Sequence, residues 1–101
     1  MGTRLKLQSK LEDILGSRHV YFQPPEDLKM EYPAIRYSLS DIESRYGDNV
    51  KYSTFNCYDI IVIDELPNNV AIQKILELPY SSFDRHYTSD NLNHDLIKIY
   101  F

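Results

Sequence analysis

The sequence predicts an α+β fold: two helices packed on a mostly antiparallel sheet of about five strands, in the order helix-strand-strand-strand-helix-strand-strand. Three observations predict it. The run Lys51–Glu65 is rich in Ile, Val, Thr, Phe and Tyr and contains no Gly or Pro, which marks a strand rather than a helix. Thr3–Leu15 and the segment around Ile72–Leu76 carry apolar residues at helical spacing. Ala34–Leu39 and Leu92–Phe101 alternate apolar and polar residues, as half-buried strands do.

The centre of the Lys51–Glu65 run is Tyr58–Val62, read as the central strand. Phe55, Cys57, Ile61 and Ile63 fall on one side of it, and Tyr58, Ile60 and Val62 on the other. Apolar residues on both sides predict cover on both faces, by a helix on one and a neighbouring subunit on the other.

The remaining elements follow in order. In Thr3–Leu15 the stripe is Leu7, Leu11, Ile14 and Leu15, with Thr3 as N-cap and Gly16 as the left-handed residue that ends the helix. His19–Phe22 is a short strand stopped by Gln23-Pro24-Pro25, since two prolines remove two ladder donors. Glu26–Tyr32 is a polar excursion, and Ala34–Leu39 is a strand antiparallel to the central one. Asp41–Val50 reads as a long polar hairpin loop, with turn chemistry at Gly47-Asp48-Asn49. After Leu66-Pro67, Asn68 or Asn69 caps a second helix that buries Ile72, Ile75 and Leu76 and closes at Pro79. Tyr80–Thr88 and Leu92–Phe101 form a closing strand pair across Ser89-Asp90-Asn91.

A chain of 101 residues with 43% hydrophobic and 26% charged residues has the composition of one globular domain, residues 1–101, rather than of a disordered chain. No apolar run approaches the roughly 20 residues that span a bilayer, and the polar N-terminus does not read as a signal peptide, so no membrane partner is expected. Eleven basic against fifteen acidic residues give a net charge of −4, with no Lys/Arg cluster to grip phosphates. Nine tyrosines and no tryptophan suit surfaces where a ring is buried while its hydroxyl stays wet, interfaces included.

The densest polar cluster is Asp84–Asp95, where His86 and His94 with Asp84, Asp90 or Asp95 offer a metal reading. His-x₇-His is not a zinc pattern, and the ordinary alternative is a hairpin whose Asp and Asn side chains bond turn backbone. The single Cys57 cannot form an internal disulfide, and its apolar and acidic neighbours predict a buried, inert thiol. The carboxylate pairs Asp41/Glu43, Asp64/Glu65 and Asp90/Asp95 read as solvated, and three glycines build no phosphate loop. The residues alone therefore point to a non-catalytic domain without metal or cofactor.

The strings Leu11–Pro25 (LEDILGSRHVYFQPP), Met30–Tyr37 (MEYPAIRY) and Leu78–Asp95 (LPYSSFDRHYTSDNLNHD) occur in order over nearly the whole chain. They resemble small tail proteins of long-tailed bacteriophages and prophages, labelled minor tail, tail-completion or tail-terminator proteins. The resemblance implies a small α/β sandwich that caps the tail tube as a ring, commonly a hexamer. Such a ring ends tail elongation and presents the surface that joins the head. Its implied partners are copies of itself, the tail tube protein and the head-tail connector proteins, with DNA crossing the lumen without specific binding. The implied location is the host cytoplasm during assembly and then the virion tail. No catalytic residue carries over.

Within this reading the expected interface residues are Ile42 and Tyr46, on the Asp41–Asn49 loop facing a neighbouring ring, and Tyr58 and Ile60, on an exposed face of the central strand. The alternatives are a head-completion or adaptor protein, a regulatory module that binds a host factor, and a small metal-dependent enzyme using His86 and His94.

Overall fold

The computed structural model describes residues 4–47 and 50–101, and within 43–55 it describes the backbone alone. The elements are α1 (Arg4–Leu15), β1 (Val20–Phe22), β2 (Ala34–Gly47), β3 (Val50–Asp64), α2 (Val70–Leu76), β4 (Ser81–Ser89) and β5 (Leu92–Tyr100). This is the α+β order expected from the sequence.

The strands form one sheet in the order β1-β2-β3-β5-β4. Every pair is antiparallel except β1–β2, which runs parallel with Val20 opposite Ile35. The parallel pair follows from connectivity, because the proline-bearing segment after Phe22 returns the chain to the same end of the sheet before β2 begins.

Both helices lie on one face. Leu7 and Leu11 from α1 and Ala71, Ile72 and Ile75 from α2 pack on Ile35, Tyr37, Tyr58, Ile60, Val62, Ile97 and Ile99. Alternation along paired strands places these sheet residues together: Tyr37 faces Ile60, Ile60 faces Ile97, and Tyr58 faces Ile99. Ile14 and Leu15 flank this core, completing the expected stripe of α1.

Local chemistry sets the boundaries. Gly16 adopts φ 78° and donates its N–H to Glu12 O at 2.9 Å, the helix stop that its lack of a Cβ permits. The expected cap Thr3 lies outside the described residues. Asn69 is the cap of α2: its Oδ1 accepts from Ala71 N at 2.8 Å, while its Nδ2 donates to Asp64 Oδ2 at 2.8 Å. One side chain thus starts α2 and fastens it to the end of β3. At the last turn Asp90 and Asn91 take positive φ (53° and 64°), the two-residue turn that suits strand twist.

Two expectations are corrected here. Asp41–Gly47 is not a loop but a continuation of β2, paired with β3 as far as Gly47 opposite Val50. The polar sequence misleads because main-chain pairing can hold a strand whose side chains show no apolar alternation. The expected turn residues Asp48 and Asn49 lie outside the described residues. Tyr58 and Ile60 are not on an exposed face: they are 4% and 0% exposed, beneath the helices. A central strand in a two-layer fold gives its most apolar side to the helix layer, so those residues belong to the core.

Candidate functional site

Two places on this framework have features that the core does not explain: the outer part of the β2–β3 ribbon, and the closing hairpin β4–β5.

β3 pairs with β5 only from Cys57 onward, and β1 meets β2 only as far as Tyr37. Among the described residues no third strand pairs with β2 or β3 beyond those points, where the two pair with each other from Ile42 opposite Asn56 to Gly47 opposite Val50. Seven residues of β3 at about 3.4 Å each give an arm of roughly 24 Å. The arm accounts for principal extents of 51 × 26 × 23 Å and a radius of gyration of 14.6 Å, against about 13 Å for a compact chain of this size. At its root Leu39 and Ile42 are exposed on the helix side of the ribbon, Ile42 by 53%. Ile42 is thus the one expected interface residue with a described side chain that the structure leaves available, while the side chain of Tyr46 lies outside the described residues. An isolated two-stranded ribbon is marginal in water, so such an arm gains order from whatever it contacts.

In the closing hairpin the two-residue turn sets the register: Ser89 faces Leu92, Tyr87 faces His94, and His86 faces Asp95. Residues adjacent along a strand point to opposite faces, so His86 and His94 stand on opposite sides of the sheet. They cannot share a metal ion, which removes the two-histidine site. Among the described residues no group of three His, Cys, Asp or Glu side chains is placed to hold one.

Each histidine has a local partner instead. His94 stacks on Tyr87 with ring centroids 4.8 Å apart and a 12° interplanar angle, and its Nδ1 lies 3.2 Å from Leu92 O. His86 Nδ1 lies 2.9 Å from Asp95 Oδ1, and Asp95 is only 7% exposed. That pair borders an open groove between α2 and β4, lined by Asn69, Val70, Gln73, Leu76 and Phe83 among others. A carboxylate that orients a histidine is one part of a nucleophilic site, but here the other polar lining residues are the amides Asn68, Asn69 and Gln73. Cys57 is buried, as expected, and lies on the opposite face from Asp95. The groove therefore has the means to orient a polar ligand and no thiol or hydroxyl to attack one.

The face away from the helices carries Ala34, Cys57, Ile61, Ile63 and Leu96, interleaved with Arg36, Asp59 and Lys98. Ala34, Cys57 and Ile63 are buried, and Ile61 and Leu96 are half-buried. The polar rows make this a mixed surface rather than a second core.

At the opposite end of the sheet from β4, the Tyr37 hydroxyl donates to Gln8 Oε1 and accepts from Arg4 Nη1 at 3.3 Å. Gln8 Nε2 donates to Val20 O at 3.0 Å, and the Arg4 guanidinium sits 4.6 Å from the centre of the Phe22 ring. Burial pushes the Tyr37 phenol above its ordinary 10.0, against the opposing pull of the Arg4 hydrogen bond. This polar network ties α1 to β1 and β2, and its role is structural.

Sequence reasoning missed the arm and the His86–Asp95 contact. The second was within reach, because taking Asp90-Asn91 as a two-residue turn pairs the strands residue by residue. A scan against protein-family models finds no family that matches this chain, and a search of curated proteins finds no match.

Proposed function

We propose that this chain is a structural protein of long-tailed phage particles: a tail terminator that caps the tail tube as a ring, ends elongation and supports head-tail joining. The observation that carries this reading is the β2–β3 arm, which extends beyond every other strand of its own sheet and is too thin to bury a core of its own. Elements of that kind serve contact between molecules. The resemblance of the strings at 11–25, 30–37 and 78–95 to small phage tail proteins supports the same reading.

In this role the chain works by shape and burial. A ring interface is head-to-tail, so two different patches of each subunit meet. Tube protein and connector proteins take the two ends of the ring. The acidic balance of the chain suits a lumen through which DNA moves without being held.

The reading is tested by quantifying the protein in purified virions by mass spectrometry and locating it with immunogold. A single ring's worth of copies at the head-tail junction is expected. Absence of the protein from virions overturns the reading, and copies within the connector inside the capsid portal assign it to the head-completion or adaptor role.

A further inference from the structure

We propose that copies of this chain join by strand addition: the arm of one copy pairs along the open edge of β4 in the next and extends its sheet. This inference rests on the ring reading above and deepens it by naming the two patches that meet.

The sheet has two ends, and they differ. At the β1 end the edge strand has three residues and runs into Gln23-Pro24-Pro25, whose prolines have no N–H to offer. At the other end β4 presents nine residues without a proline, paired on one side only. The two-residue turn makes Ser89–Leu92 the closing hydrogen-bonded pair, so Tyr87 and Arg85 aim their backbone groups at β5. The N–H groups of Thr88 and His86 therefore point outward. Beyond the bulge between Phe83 and Arg85, Tyr100 N donates to Tyr80 O at 3.1 Å, which turns Ser82 inward and Ser81 and Phe83 outward. Edge strands are normally blunted by prolines, lysines or repeated bulges. Here, among the described residues, the protection is one bulge and the Asp84-Arg85 pair, and the aromatic rings of Tyr80, Phe83 and Tyr87 stand exposed beside the edge.

The arm supplies the matching element. Among the described residues, no strand lies beside the outer edge of β2 past Tyr37, or beside that of β3 past Asn56, whose carbonyl accepts from Phe101 N at 2.8 Å. The molecule thus carries an unfinished ribbon and an unfinished sheet edge of similar length, at different places on its surface. Within one copy they cannot meet, because β5 and the body of β3 stand between them. Between copies they can, and strand addition gives register through the main chain while the exposed rings gain cover. Because arm and edge are different patches, the contact is head-to-tail and repeats from copy to copy, which a ring requires.

Two variants test this with the full-length protein as the reference. In one, residues 44–54 are replaced by Asn-Gly across the Glu43–Phe55 pair, which shortens the arm and leaves β4 intact. In the other, Thr88→Pro removes an outward N–H at a position where an edge strand tolerates proline. Far-UV circular dichroism and cooperative unfolding establish that both are folded, and Thr88→Ala, which keeps the N–H, is the control. Light scattering and native mass spectrometry then read the mass. The wild type and Thr88→Ala are expected to assemble, while each of the two variants runs as a single chain, Thr88→Pro at the full-length mass of about 11.9 kDa and the arm-shortened variant correspondingly lighter. Mixed together, the variants are expected to form a two-chain complex, since one offers an edge and the other an arm. A monomeric wild type, an arm-shortened variant that assembles like the wild type, or a mixture that fails to pair overturns the proposal. If the arm-shortened variant forms rings yet yields tailless particles, strand addition falls while the tail reading stands.

Discussion

Ile60→Ala separates a core residue from an interface residue, the two roles that sequence and structure assign to this position. Ile60 is 0% exposed, paired with Tyr37 on one side and Ile97 on the other, and covered by the helices. The substitution removes three carbon atoms, about 0.8 kcal/mol each in transfer free energy. The cavity left among Tyr37, Ile97 and the helices adds to this, because close-packed neighbours relax only in part, and the total falls at about 2–5 kcal/mol. Small domains have about 5–15 kcal/mol in all, so the loss is a large share. Urea unfolding followed by circular dichroism reads it as a lower midpoint at unchanged slope. Ile42→Ala, at 53% exposure, is the contrast and should change stability by no more than about 0.5 kcal/mol. If Ile60→Ala costs less than about 1 kcal/mol while abolishing assembly, the assignment of Ile60 to the core is wrong.

Three further outcomes are expected. Asn69→Ala removes both the cap of α2 and the bond to Asp64, and should destabilise by about 1–2 kcal/mol in the same urea assay. Tyr37→Phe deletes a hydroxyl bonded to Gln8 and Arg4 and should cost about 1–3 kcal/mol at neutral pH. Because the folded state holds the Tyr37 proton more tightly than the unfolded chain, Tyr37 contributes its full share of stability below pH 10.0 and loses it as the pH rises past the folded value. The alkaline decline in stability should therefore be shallower in Tyr37→Phe than in the wild type, measured as midpoints between neutral and alkaline pH. Finally, purified protein should contain no stoichiometric transition metal by mass spectrometry, because His86 and His94 face opposite sides of the sheet; one metal per chain, lost on His86→Ala, would refute that placement.

The parts of the fold that were legible from sequence are those where burial leaves a pattern. Leu7, Leu11, Ile14 and Leu15 gave α1, and the alternation through Ile35, Tyr37 and Leu39 gave the strand beside β3. Punctuation was equally informative: Gly16, Asn69 and Asp90-Asn91 each do what their backbone chemistry predicts. The arm left no such trace, since the polar stretch Asp41–Gly47 shows no apolar alternation in the sequence, and its backbone pairing with β3 is what makes it a strand. The two faces of β3 were separated correctly, but sequence could not say which one the helices cover, so Tyr58 and Ile60 were assigned outward. The parallel placement of β1 depends on how the chain returns through residues 23–33, a long-range fact without a local signature.

For the candidate site the same contrast holds. His86 and His94 stand in a hairpin with seven residues between them, close enough in sequence to invite a shared ligand. Period-two geometry sends them to opposite faces, where one meets Asp95 and the other Tyr87. What remains is a polar pair beside a groove, a long strand edge and a projecting arm, and the last two are the features on which the proposed assembly rests.

The most direct test of the tail-terminator role is electron microscopy of lysates from a phage or prophage that lacks this gene. Full heads without tails beside abnormally long tubes are expected, since a missing terminator leaves tube growth unchecked and the head without a surface to join. Intact virions with tails of ordinary length would contradict that role.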